Sequence, residues 1–453
     1  MGHLTELAEL ILSSAKALEA VYDDAGKSVP TLDDLFCPSP LDSDPAVQTE
    51  SMTIVAAANQ IMHTVANPLT ALQLAAGGLN LTTAWSIVQE ANVPDILLEA
   101  DAQKGLHVKD IASICGLEQD HLARLLRFLA SRHFFKEVSP HVFANNRLSS
   151  FFLKHKSVSE IKADPQSRYD NAPLAGILGM MANDGLEVAP HLKDWVKSPQ
   201  SAEAAFNIAK KTDQDYWAWL GAPGNEDRAR QVATAMAGGA AHFPRENVTN
   251  AIDGANLKPG SIVVDVGGGQ GGATMMLYKK YPHLKYIIQD LDNQADAAGA
   301  FWSSSEAADA WSKKQVQFQR HSFFDAQPVK NADVYLMRLC IHDWSDSKAK
   351  VMMSRIRDAA GPTSRFVVLD PLAMHTCQDP DLPENPIAPK PLLANYGIAG
   401  PGGVSAMSDI QMLYMYNGKE RTVADMRLLG EQAGWKLQEL KPGKLMAYIF
   451  SPA

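Results

Sequence analysis

One octapeptide restricts the fold more than any other feature of this chain. Asp265-Val266-Gly267-Gly268-Gly269-Gln270-Gly271-Gly272 closes the apolar run Ile262–Val266 and leads into a stretch over Gly272–Lys280 with helical character. A short apolar run ended by glycines reads as a buried strand, and the stretch beyond the glycines reads as a helix. Strand, glycine loop and helix in that order open a parallel α/β sheet. Glycines let the backbone turn tightly and approach a ligand, and the helix N-terminus offers free N–H groups. Gly267-x-Gly269-x-x-Gly272 also fits the general dinucleotide fingerprint.

Two acids narrow the ligand. Asp265 stands at the strand end, where a dinucleotide would bring its pyrophosphate and a carboxylate is unhelpful. A ligand with an ammonium and a sulfonium, and no phosphate, suits it better. Asp290 comes directly after the second strand, Tyr286–Gln289, where an acid can accept both ribose hydroxyls. The pair points to S-adenosylmethionine rather than NAD.

The α/β pattern continues downstream. Ala332–Leu336 and Phe366–Leu369 read as strands, Ser345–Ala359 and Thr422–Ala433 as helices, and the C-terminus as strands. Residues 374–408, rich in Pro, Gly and Ala, form a long insertion, with a helix expected over Met407–Tyr416. Upstream, Val108–Cys115 and Gln119–His133 read as a helix-turn-helix with Gly116 at the turn, followed by a hairpin wing over Phe134–Val138 and His141–Ala144. The expected organisation is a helical, winged-helix domain over 1–165, a helical linker and pocket segment over 166–255, and a Rossmann-like catalytic domain over 256–453. The middle segment is rich in aromatics: Phe206, Tyr216, Trp217, Trp219 and Phe243.

Charge decides what the winged helix does not do. From Trp85 to Leu148 there are 7 Lys and Arg against 8 Asp and Glu, and the whole chain carries a formal charge of −10. Such a domain lacks a basic face for phosphate, so packing or dimerisation is expected rather than nucleic-acid binding. No apolar run reaches the ~18 residues a membrane span needs. Glu6 and Glu9 interrupt any signal-peptide core. Cys37, Cys115, Cys340 and Cys377 form no C-x-x-C pair, and no carboxylate–histidine cluster has metal spacing. A cytoplasmic, metal-independent protein is expected.

Three further motifs carry a family resemblance. Val264–Gly271 resembles the cofactor motif of class I S-adenosylmethionine-dependent O-methyltransferases. Arg338-Leu339-Cys340-Ile341-His342-Asp343-Trp344-Ser345-Asp346 resembles the catalytic segment of the plant caffeate-type and fungal members. Gly418-Lys419-Glu420-Arg421-Thr422 and Ala433-Gly434-Trp435 resemble their C-terminal motif, and Pro391–Gly397 an insertion of basidiomycete members. The resemblance implies an α/β, Rossmann-like doubly wound methyltransferase domain behind a mostly α-helical winged-helix dimerisation domain, and a homodimer. It implies His342 as general base, flanked by Asp370 and Glu420. It implies a cofactor site of Asp265, Gly267, Gly269, Asp290, Leu291, Ser322, Phe323, Arg338 and Trp344. Met236, Asp343 and Met412 fall in segments that line the acceptor pocket in relatives. One position departs: Ser322 stands where many relatives carry Asp before a Phe-Phe pair. Its hydroxyl can hydrogen-bond to adenine but brings no charge.

These residue types suit methyl transfer. A phenol titrates near ~10 and its phenolate is the better nucleophile, so a base within hydrogen-bond reach helps. An ordinary imidazole near ~6.5 is available to accept that proton, and a carboxylate on its other nitrogen fixes the tautomer and stabilises the cation. The expected activity is methyl transfer to a phenolic or enolic hydroxyl of a small aromatic molecule. Three alternatives stay open: a same-fold catalyst that uses the sulfonium for pericyclic or dehydrative rearrangement, an NAD-dependent oxidoreductase, and a ligand-sensing DNA-binding regulator.

Overall fold

The computed structural model describes residues 2–101, 104–242, 244–382 and 388–453; Phe243 and insertion residues 383–387 lie outside them. The chain forms two compact units, Met1–Pro190 with Ala222–Gly239 and Ile387–Gly400, and His191–Gly221 with Ala240–Pro386 and Pro401–Ala453. The segment 166–255 is thus shared between them.

In the first unit the helix-turn-helix and wing form as the pattern predicts. Helices Val108–Cys115 and Gln119–Ala130 flank Gly116, whose φ of +82° is the left-handed turn that glycine adopts freely. Strands β1 (Leu106–His107), β2 (Lys136–Ser139) and β3 (Val142–Ala144) pair antiparallel in the order β1-β3-β2. Val108, Ile111, Leu122, Leu126, Leu129 and Phe143 are fully buried between them. The N-terminal helices His3–Asp24 and Pro45–Val65 bury Leu7, Ala56 and Ala57 against Ala388, Leu392 and Tyr396 of the insertion. A charged pair lies deep in this unit. The Lys154 ammonium is buried, bonded to the Gln89 carbonyl (2.6 Å), to Asn92 Oδ1 (2.6 Å) and to Asp95 Oδ2 (3.4 Å).

The second unit is built on a seven-stranded sheet. Its strands are β4 (Ile262–Val266), β5 (Lys285–Asp290), β6 (Val316–Arg320), β7 (Val334–Arg338), β8 (Arg365–Asp370), β9 (Trp435–Lys441) and β10 (Met446–Pro452). The order is β6-β5-β4-β7-β8-β10-β9, parallel from β6 to β8, with β10 antiparallel to both neighbours. Side chains alternate across a strand, and here each face has its own core. Val263, Val334, Leu336, Val367, Leu369, Ala447 and Ile449 pack on one face, under helices Gly272–Lys280 and Ala295–Ser303. Val264, Val266, Tyr335, Met337, Phe366, Val368, Tyr448 and Phe450 pack on the other, under Asp346–Arg357 and Val423–Gln432. Burial on both faces explains the near-continuous apolar runs of the parallel strands. This is the expected doubly wound α/β sheet. The strand order reverses between β4 and β7, so a crevice opens at the carboxyl ends of those strands. Among the described residues, no helix is long and apolar enough to cross a membrane.

Two elements depart from the sequence pattern. β6, Val316–Arg320, carries Gln317, Gln319 and Arg320 and shows too little apolar character to be foreseen. The helix expected over Met407–Tyr416 starts at Pro401, inside the insertion, because Pro at the first helical position needs no N–H partner.

Candidate active site at the carboxyl edge of the sheet

Parallel pairing brings four sequence-distant residues to one edge: Asp265 near the end of β4, Asp290 at the end of β5, Arg338 at the end of β7 and Asp370 at the end of β8. The glycine loop lies at that edge. Gly267 and Gly269 have φ of +72° and +56°, and Gly271 of +88°. A Cβ at Gly267 would stand 2.8 Å from Cys340 Sγ, and one at Gly271 would collide with Ile288 and Trp302. At Gly269 and Gly272 it would meet nothing within 4 Å. The loop therefore packs tightly underneath and opens outward over Gly269 and Gly272.

Asp290 supports this loop. Its carboxylate accepts from the Gly269 N–H and the Leu291 N–H, both at 2.7 Å. Each oxygen keeps a further lone pair for a ligand hydroxyl. Asp265 lies beneath, 1% exposed, accepting from the Thr274 hydroxyl at 2.7 Å, and burial raises its pKa. A Cβ at Gly268 would be 2.7 Å from its carboxyl carbon, so glycine there is set by Asp265. Thr274 was not foreseen, since a threonine in a helix gives no sequence signal. Arg338 is buried, with a pKa lowered by burial and supported by Asp265. The Ser322 hydroxyl accepts from the Phe324 N–H at 3.3 Å. Phe323 sets its ring edge-on to Trp344 with centroids 5.9 Å apart. An open glycine loop, a ribose-type acid and an apolar aromatic wall together fit an adenosine-bearing cofactor without phosphates.

The segment after β7 turns through a short 3₁₀ helix, Ile341–Asp343, which presents His342. Its Nδ1 donates to Glu420 Oε1 at 3.0 Å, and the same oxygen accepts from the Ser408 hydroxyl at 2.7 Å. Its Nε2 stands 3.6 Å from the Asp343 carboxylate. His342 is thus held between two acids, Glu420 on Nδ1 and Asp343 facing Nε2. Asp370 is 2% exposed, and among the described residues neither of its carboxylate oxygens has a hydrogen-bond partner. It adds charge to the cluster without gripping the ring. Ser408 lies on the helix Pro401–Tyr416 and belongs to no motif, so sequence gives it no role.

These contacts change the acid–base character assumed from sequence. Burial alone would lower the pKa of His342, but the carboxylates of Asp343 and Glu420 more than offset it and carry the imidazole to about 10. Burial pushes Asp343 up to about 6 and Asp370 up to about 7, against the pull of the His342 cation. His342 is a strong base, not the ordinary one near ~6.5.

A narrow cleft is lined by Asp343 and Trp344, by Tyr216 and Trp217, and by Met415 and Tyr416. The Trp217 and Tyr416 rings are parallel with centroids 5.9 Å apart, and Tyr216 meets Tyr416 edge-on at 5.1 Å. Met412 is buried on the helix Pro401–Tyr416, and its carbonyl accepts from the Gly418 N–H. Met236 belongs to the first unit and is 45% exposed there. Among the described residues, no group of three or more His, Cys, Asp and Glu could hold a metal ion.

Comparison with known proteins addresses the family. The family model for the O-methyltransferase domain matches residues 191–436, and that for the O-methyltransferase dimerisation domain matches 72–155. An O-methyltransferase from Armillaria gallica is 33% identical, over 96% of this chain and 94% of its own. Among solved structures, the mitomycin 7-O-methyltransferase MmcR shares the fold at a TM-score of 0.63 and 22% identity, over 85% of this chain and 97% of its own. A structure described as a pericyclic reaction enzyme does so at 0.64 and 21%, over 91% and 96%. Fold likeness at that identity does not separate the two chemistries. The sequence match shows the family: the chain belongs to the O-methyltransferase family.

Proposed function

We propose that the protein transfers a methyl group from S-adenosylmethionine to a phenolic or enolic hydroxyl of a small aromatic molecule, as a homodimer formed through its N-terminal domain. The observation that carries the reading is the His342–Glu420 pair at 3.0 Å, on the segment after β7 whose Cys340 packs against Gly267 of the glycine loop. When bound, S-adenosylmethionine supplies an electrophilic methyl on a sulfonium. The residues suited to hold it are Gly267 and Gly269, Asp290 with Leu291 for the ribose, Ser322, Phe323 and Trp344 for the adenine, and Asp265 and Arg338 beneath. His342 takes the proton of the acceptor hydroxyl, Glu420 holds the ring tautomer, and Asp343 and Asp370 balance the imidazolium. The aromatic lining of Tyr216, Trp217 and Tyr416 supports a flat acceptor. The matched dimerisation domain supports the homodimer.

The raised pKa of His342 makes the reading testable by pH. At pH 7 the imidazole, with its pKa at about 10, holds a proton, and a phenol titrating near ~10 holds its own. The reactive combination shares one proton between the two. It is a minor form at pH 7 and grows by about tenfold per pH unit towards 10. For a simple phenol, kcat/KM of methyl transfer is therefore expected to climb steeply from pH 7 to 9 and to level near 10. A profile flat across pH 7–9 with chemistry rate-limiting would contradict this role for His342.

A further inference from the structure

The residue after Glu420 makes a second set of contacts to the same loop. Arg421 is buried, with its side chain 1% exposed. Its Nε and Nη2 donate to Asp346 Oδ1 at 2.9 and 2.8 Å. Its Nη1 donates to the Ile341 carbonyl at 3.0 Å and the Lys419 carbonyl at 3.3 Å, and its Nη2 to the Trp344 carbonyl at 2.8 Å. Ile341 and Trp344 bracket His342 and Asp343. The guanidinium therefore binds the backbone on both sides of the base, while Glu420 binds its ring.

The neighbouring backbone completes the grip. The Lys419 N–H donates to the His342 carbonyl at 2.9 Å. A Cβ at Gly418 would collide with that same carbonyl, so only glycine lets the two segments touch. The Arg421 backbone is anchored in turn, since the Ala373 N–H donates to its carbonyl at 3.1 Å and a bridge pairs it with Leu372, just beyond Asp370.

We propose that Arg421 is the positioning residue that sets the His342–Glu420 geometry, by fixing the loop 341–346 to the segment that carries Glu420. Only a planar fork can serve one carboxylate and the carbonyls of Ile341 and Trp344 together; a lysine ammonium cannot span them. The proposal rests on His342 being the base.

The test uses the full-length protein with R421K, R421M and D346N, comparing melting temperature, cofactor affinity by calorimetry, kcat, KM and the pH profile. Misplacement of a catalytic group by about 1 Å costs on the order of 10²-fold in rate. In R421K the expected result is a 10- to 100-fold loss of kcat, with acceptor KM and cofactor affinity within about threefold. The His342 limb should move below 10, because the Glu420 hydrogen bond that helps raise it is weakened. D346N should show the same pattern more weakly, and R421K/D346N should be little worse than R421K. If R421M does not fold, R421K and D346N still decide. A folded R421K with wild-type kcat overturns the proposal. So does one that loses rate with the His342 limb unmoved, which would leave Arg421 a purely structural role. A His342 titration followed by NMR in wild type and R421K needs no turnover. It separates failure of the positioning proposal, with no change in His342, from failure of the methyl-transfer reading, with no product from wild type.

Discussion

Replacing His342 with alanine is expected to lower kcat by about 10²–10⁴-fold, the range that a positioned general base contributes, while cofactor affinity changes little. The separation comes from the fold. The glycine loop, Asp290 and Leu291 are tied together by their own hydrogen bonds, none of which involves His342. The imidazole is tied instead to Glu420 and faces Asp343. Truncation removes the base and leaves Asp343, Asp370 and Glu420 without their cation. Two of these already sit at raised pKa values, about 6 for Asp343 and about 7 for Asp370, so they take up protons rather than destabilise the fold severely. Calorimetry with S-adenosylmethionine, alongside turnover, checks both halves. Unchanged turnover would remove His342 from the mechanism.

The largest stability effect is expected in the other unit, at Lys154. Its ammonium is buried and satisfied by Gln89, Asn92 and Asp95, while its backbone N–H donates to the other Asp95 oxygen at 2.8 Å. Burial lowers the lysine pKa and raises that of Asp95, each opposed by the other's charge. Breaking a buried pair by removing one partner costs about 3–5 kcal/mol, because the remaining charge is uncompensated. K154M is therefore expected to lower the melting temperature by on the order of 10 °C. K154M/D95N should recover much of that loss, since the stranded carboxylate is gone. A K154M protein that melts like wild type would show that the pair contributes nothing net.

The sheet was readable from sequence because parallel strands buried on both faces are nearly continuous apolar runs, as in Ile262–Val266 and Phe366–Leu369. β6 was not, because its Gln and Arg residues mask the pattern. His342 and Glu420 were legible as motif members, and the sheet topology explains why residues 78 apart meet. What motifs do not encode is which oxygen points where. Asp370 is expected to flank the histidine, yet no hydrogen bond joins them, whereas Asp343, expected on the acceptor side, lines the cleft and also lies 3.6 Å from Nε2. The basicity of His342 was missed for the same reason, since a pKa depends on the distances of all surrounding charges. Arg421 reads in the sequence as a charged neighbour of Glu420, and only its burial and hydrogen bonds reveal its grip on the loop.

The central claim is that a methyl group moves from sulfur to oxygen on this protein. Mass spectrometry of a panel of small phenols, incubated with the purified protein and S-adenosylmethionine bearing a deuterated methyl, tests it most directly. The predicted result is a product heavier by one labelled methyl, formed mole for mole with S-adenosylhomocysteine and lost in H342A. An acceptor converted to an isomer of unchanged mass, with none of the cofactor consumed, would contradict methyl transfer and place the protein with the rearrangement catalysts that share its fold.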